Sequence, residues 1–313
     1  MRRFLYYGCA LSRLRFAYYG CALLLSFRAI ALTLRARLRF AFVCAFAAAI
    51  ATTLATPLNA QWLAFVRKET PLTADGKPDL NAPPPRLPNG KVDFSGTWES
   101  RQPPSGRPGP ALPNLNPATD PPLAAFANVG QNFKDGLPFT PWAAELRKQR
   151  MATNSKDNPD AHCLPLGFMQ LHTHSQPRKV VQTANDVVIM YEANSGLRNI
   201  FTDGRALPAN DPTPWWFGYS VGKYDGDTLV VETIGLRDEG WLDVQGAPFT
   251  NSAKITEKFR RPSYGRIEID VTIDDPKAYT KPWTVRVNWR LAADEDLIEF
   301  ICQENNVDEK FLK

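Results

Sequence analysis

The sequence predicts a mainly β protein: an antiparallel meander that closes into a barrel, with a sandwich as the alternative, and one short helix. Three observations lead there. From Arg178 onward, runs rich in β-branched and aromatic residues follow one another: KVVQT, DVVIMYEA, LRNIFT, WFGYSVGKY, DTLVVETIGL, AKITEKFRR, RIEIDVTID, WTVRVNWRL and DLIEFICQE, the composition that suits a pleated, half-buried surface. Short turn-forming pairs separate them, among them Asn185-Asp186, Ser195-Gly196, Asp225-Gly226, Tyr264-Gly265 and Asp294-Glu295, and connections this short join antiparallel neighbours. No helix stands between the runs, which excludes a parallel α/β sheet.

Residues 1 to 60 read as a leader. They hold eight arginines, no lysine and no acidic residue, with a near-repeat of RRFLYYGCAL in RFAYYGCALL. Arg35, Arg37 and Arg39 precede an apolar run from Phe40 to Leu54, and the stretch ends in Leu58-Asn59-Ala60. That order of basic, apolar and small-residue regions reads as a signal peptide, with cleavage expected after Ala60. The apolar run falls short of the ~17 residues a membrane span needs, so no stable span is expected after cleavage, and the mature chain is placed in the periplasm or outside the cell.

Fourteen of the 27 prolines lie between Pro71 and Pro122, so residues 61 to 139 read as an extended, poorly packed segment. A first strand interrupts it near 92 to 101, around Gly96-Thr97-Trp98. The barrel domain is expected over 140 to 313. It opens with the helix WAAELRKQRMA, for which Thr140 serves as N-cap and Pro141 as first helical residue. In the strands, Ile267, Ile269, Val271 and Ile273 share one face against Glu268, Asp270 and Thr272, and Trp283, Val285, Val287 and Trp289 oppose Thr284, Arg286, Asn288 and Arg290. These strands have one wet face, on which Glu268 and Asp270 can pair with Arg286 and Arg290. Asp225-Gly226 is the strongest hairpin signal and predicts a type I′ turn.

The formal charge of +5 belongs to the leader. Setting aside its eight arginines leaves 29 of 37 basic side chains against 32 acidic ones, a net of −3. A mildly acidic body lacks the concentrated positive surface that nucleic acid requires. Of five cysteines, Cys9, Cys21 and Cys44 fall in the leader, leaving Cys163 and Cys302. An even pair in an oxidising compartment predicts one bridge, tying the final strand to the start of the core.

The chemistry-bearing candidates are carboxylates and aromatics. Glu192, Glu232 and Glu299 sit in runs that are apolar on both faces, which points at least some of them into a dry interior, where each must be paired or hydrogen-bonded. Trp215, Trp216 and Tyr219 cluster at a strand entrance, with Trp241 and Arg205 in neighbouring loops, and aromatic faces there can stack on a sugar ring or a planar ligand. His172-Thr173-His174 would put two imidazoles on one face of a strand. That is half a metal site at most, so no metal is expected. No GxSxG, HExxH, P-loop or GxGxxG motif occurs, and no cofactor is expected.

The succession CLPLG at 163 to 167, FTDGR at 201 to 205, GYSVGKYDGDTLVVET at 218 to 233, EKFRR at 257 to 261 and DDPKAYTKPW at 274 to 283 resembles an uncharacterised family of exported bacterial proteins. The resemblance spans about residues 140 to 310; it implies export and transfers no catalytic role. Gly96-Thr97-Trp98 before a strand meander is similar to the opening of lipocalin-like barrels, and implies that architecture. The reading that follows is an exported barrel binding a small, partly apolar or aromatic molecule, lined by Trp215, Trp216, Tyr219 and Trp241, with Arg205 nearby and Glu192, Glu232 or Glu299 orienting polar atoms. The alternatives are a periplasmic hydrolase or lyase using the carboxylates, and a non-catalytic envelope interaction module.

Overall fold

Nine strands form a closed barrel in sequence order, β1 Gly96–Ser100, β2 Arg178–Gln182, β3 Asp186–Tyr191, β4 Leu197–Phe201, β5 Tyr219–Asp225, β6 Thr228–Ile234, β7 Lys254–Ser263, β8 Arg266–Asp274 and β9 Trp283–Leu291. The computed structural model describes residues 69–100, 116, 119–209, 213–293 and 295–304; the leader and the expected cleavage site after Ala60 lie outside them. All described residues belong to one compact unit, Ala64–Lys313. Among them no helix is long and apolar enough to cross a membrane.

Strand pairing is antiparallel except between β4 and β5, which run parallel through Ile200 opposite Ser220 and Phe201 opposite Val221. Parity demands this. A closed ring with an odd number of strands cannot alternate direction all the way round, so one neighbouring pair must be parallel, and the 202–218 connection carries the chain back to make it. β1 completes the ring by pairing with both β2 and β9. The barrel therefore draws its first strand from the proline-rich segment. That segment is also better packed than its composition implies, since Val92 and Phe94 are buried in the core and the Gln182 side-chain oxygen accepts from the Phe94 N–H at 2.7 Å.

Closure explains one departure from the sequence pattern. DLIEFICQE has strand composition, yet 295–304 forms no strand, because β1 already occupies the edge of β9 and a closed barrel offers no free edge. The segment is held as an irregular tail. Ile298 N donates to Glu192 at 3.0 Å, Ser195 Oγ to Phe300 O at 3.2 Å, and the Cys163–Cys302 disulfide, with Cα atoms 5.5 Å apart, ties it to the chain ahead of the lumen. The β5–β6 hairpin also differs by one residue. Asp225 pairs with Thr228, so Gly226 and Asp227 are its central residues, and only Gly226 has positive φ, +57°. A glycine with positive φ at the first central position is the pattern of a type II′ turn, not type I′.

Among the described residues, two α-helices accompany the barrel. α1, Pro141–Ala152, starts as expected at Thr140, whose hydroxyl accepts from Ala143 N and donates to Lys277 O at 2.9 Å. α2, Phe168–Thr173, is buried at every position. On the outer wall, Asp270 pairs with Arg286 at 2.7 Å and Arg260 at 2.6 Å, whereas Arg290 reaches Glu99 on β1 instead of a β8 acid.

Candidate functional site

The lumen is organised around α2. Gly167 caps it, and a Cβ there would lie 2.0 Å from the Trp241 carbonyl oxygen, so only glycine lets the helix approach this closely. The helix carries His172 to the inward-facing side chains of β3, β4 and β7. His172 Nε2 lies 2.7 Å from Glu257 Oε1 and Nδ1 lies 3.1 Å from the Tyr191 hydroxyl. Arg198 forks onto both Glu257 oxygens and donates to Ser220 Oγ at 3.1 Å and Thr233 Oγ1 at 2.9 Å.

The charge states follow from the geometry. Burial pushes the Glu257 carboxyl up, but the charge of Arg198 and the hydrogen bonds from His172 and Arg198 outweigh it and bring it to about 2. Burial outweighs the Glu257 contact at His172 and holds its pKa below the ordinary 6.5, so the imidazole is neutral. Glu257 is then an anion that only accepts, His172 Nε2 carries the proton, and Nδ1 accepts from Tyr191. Arg178 is brought down by burial to about 10 and stays charged. It donates to the carbonyls of His172, His174 and Gln176 at 3.2, 2.5 and 2.7 Å, satisfying groups at the C-terminal end of α2; Trp289 Nε1 adds a bond to His172 O at 2.9 Å. His172, Glu257 and Arg178 are 0% exposed and Arg198 1%. These groups present almost no surface to solvent, and their contacts hold α2 against the barrel strands.

The residues expected to line the lumen lie elsewhere. Glu232 points outward from β6 to Lys254 at 2.5 Å and is 44% exposed; Glu299 is exposed on the tail. Glu192 is buried just past β3, where it accepts from Gln176 Nε2 at 3.3 Å as well as from the Ile298 backbone. Trp241 is buried beneath the Arg150 guanidinium, 4.4 Å from its ring centroid. Arg205, Trp215 and Tyr219 do come together, but on the outer surface: Arg205 Nη1 contacts the Tyr219 hydroxyl at 3.3 Å, and the Trp215 and Tyr219 rings are 6.0 Å apart. Trp216 sits under Arg237 at 4.8 Å. His172 and His174 end a helix, not a strand, so they share no face.

Sequence reasoning missed Glu257 although a signal was present. Ile255, Glu257 and Phe259 share one face of β7, which makes Glu257 an acid in an apolar row. Glu232 misled because Thr233, an inward polar residue bonded to Arg198, hides the phase of its strand.

An open pocket lies at the end of the barrel that carries the β6–β7 and β8–β9 loops. It encloses about 440 Å³ between Trp142 and Leu146 of α1, Asp238, Pro248, Phe249 and Thr250 of one loop, and Lys277 of the other, within the ~300–1,000 Å³ range of small-molecule sites. Its polar wall is fixed from behind. The buried Asp275 carboxylate accepts from Thr250 N at 2.6 Å, Thr250 Oγ1 at 3.0 Å and Lys277 N at 3.1 Å. Asn251 links the two charged residues, donating through its N–H to Asp238 and accepting from Lys277 Nζ at 3.2 Å. α1 is pinned above by Arg150, which donates to Gly246 O at 3.0 Å. Trp142, 51% exposed, and Phe249 provide aromatic walls beside an ammonium group. Such a pocket can hold an apolar or aromatic body and orient one polar end. Among the described residues no group of three or more histidine, cysteine or acidic side chains is placed to hold a metal. No family model, curated protein or solved structure matches the chain.

Proposed function

We propose that this protein is an exported binder of a small, partly apolar organic molecule, which seats in the α1 pocket and not in the lumen. The observation that carries the reading is the pocket itself, with a half-exposed tryptophan and Lys277 on a wall braced by Asp275. The lumen, by contrast, is occupied by α2 and its partners. Glu192, Glu232 and Glu299, the carboxylates of the hydrolase or lyase reading, are not among the pocket's lining residues. Export is supported by the arginine-apolar-small order of the leader and by the disulfide; the exported protein is expected to begin at Gln61, which N-terminal sequencing of the processed chain checks.

Binding is tested with 8-anilinonaphthalene-1-sulfonate, an aromatic anion, titrated into the 61–313 protein. Fluorescence is expected to rise and saturate. Trp142→Ala and Lys277→Glu, both at exposed positions, are each expected to weaken the probe about tenfold or more, as loss of an aromatic wall or reversal of a paired charge implies, with unchanged circular dichroism. Saturable binding that ignores both variants places the probe elsewhere and overturns the reading.

A further inference from the structure

We propose that the outer face of the β4–β5 seam is a stacking surface for a neutral polysaccharide chain, independent of the α1 pocket. The surface is a row: Trp215, 51% exposed, lies 6.0 Å from Tyr219, Tyr219 lies 5.2 Å from Phe201, and the Arg205 guanidinium lies over Phe201 at 3.9 Å. Leu197, 61% exposed, stands on the same outward face of β4. Trp98, Trp241, Trp283 and Trp289 are all at most 4% exposed, whereas Trp215 is 51% exposed, as is Trp142 at the α1 pocket.

The row is rigid. Trp215 N donates to Gly235 O at 2.9 Å and Trp215 O accepts from Arg237 N at 3.1 Å, so an ordered backbone presents the ring and little freedom remains to be lost on binding. Among the described residues, its two arginines are paired. Arg205 is forked by Asp203, with contacts of 2.6 to 3.0 Å, and Arg237 is paired with Glu239 at 2.9 Å, which removes the counterion-driven attraction that phosphate or sulfate polymers depend on.

Size and chemistry select the occupant. An aromatic side chain buries about 150–250 Å² in full, and these are partly covered already, so the row offers on the order of 300 Å², well below the ~800 Å² per partner of a stable protein interface. A polysaccharide needs only a narrow track. Each pyranose has a face of C–H bonds, which suits the negative face of an aromatic ring, and a rim of hydroxyls. At the edge of the row, Arg205 uses three of its five N–H donors on Asp203 and Tyr219, leaving donors there beside the Asp203 and Tyr219 oxygen acceptors.

The test is native gel electrophoresis of the 61–313 protein in gels containing hydroxyethyl cellulose, xylan, galactomannan or dextran. At least one of these is expected to retard the protein, and raised salt to leave the retardation intact. Trp215→Ala, with unchanged circular dichroism, is expected to weaken it about three- to tenfold, as loss of one stacking partner implies, whereas Trp142→Ala retains it. No retardation in any of the four gels, equal retardation of Trp215→Ala, or retardation by dextran sulfate alone overturns the proposal. So does concentration-dependent self-association in sedimentation that Trp215→Ala abolishes, which would make a second copy the occupant.

Discussion

Replacing Glu257 with glutamine is expected to lower the unfolding free energy by about 3–5 kcal/mol, because it leaves the Arg198 guanidinium buried without its counter-charge. Set against the ~5–15 kcal/mol that holds a domain together, that is a large share. Urea unfolding followed by circular dichroism measures it. An Arg198→Met, Glu257→Leu double variant, which removes both charges, is expected to recover much of the loss, and a double variant as unstable as Glu257→Gln would show that the charge balance is not the reason. The pH dependence follows from the same groups. Glu257 has its folded pKa lowered from 4.5 to about 2, so its stabilisation is complete above pH ~4.5 and disappears as the pH falls toward ~2. His172 is held below 6.5 when folded; below that pH the unfolded chain takes up a proton the folded protein refuses, and stability falls there too. Both terms weaken the fold in acid, the histidine first. Wild-type stability that stays flat from pH 7 to pH 3 would contradict this account.

The second large effect is expected from the disulfide. Cys163 and Cys302 enclose a separation of 139 residues, and removing a bridge over a loop of that length costs about 2–5 kcal/mol, or about 4–20 °C in melting temperature for a domain of this size. Cys163 lies shortly before the Gly167 cap of α2, and Cys302 lies on a tail that joins no strand. The bridge therefore fastens both the plug and the tail. Cys163→Ser with Cys302→Ser, and wild-type protein treated with dithiothreitol, are expected to melt together and below the oxidised protein. Coincident melting of all three would mean that the bridge carries no stability.

The barrel was legible because its strands obey a period of two. RIEIDVTID keeps its inward and outward faces in the structure, whereas in WTVRVNWRL the outward Arg286 and Asn288, expected on a wet face, are buried, Arg286 beneath the 122–124 segment that bonds to its backbone. Thr140-Pro141 announced α1 because capping is a local interaction. What escaped depends on distant partners. FMQLHT has no side-chain cap and is buried all round, so neither a terminus signal nor an amphipathic period marked it as a helix. DLIEFICQE has the composition of a strand but no edge to join, and the occupation of that edge by Gly96–Ser100 is a property of the whole ring. The α1 pocket joins Trp142 to Lys277 across 135 positions of sequence, and no local pattern brings those residues together. The aromatic row was read as a ligand surface from its composition, but its placement outside the barrel required the β4–β5 register.

A ligand that enters the α1 pocket is expected to leave the lumen closed, and the tryptophans report on both places. Trp142 lines the pocket, whereas Trp98 and Trp289 are buried in the barrel core. Fluorine NMR of 5-fluorotryptophan-labelled 61–313 protein, titrated with 8-anilinonaphthalene-1-sulfonate, reads them in one experiment. The Trp142 resonance is expected to shift with the titration while those of Trp98 and Trp289 stay in place; movement of Trp98 and Trp289 with Trp142 unchanged would put the ligand in the lumen instead of the α1 pocket.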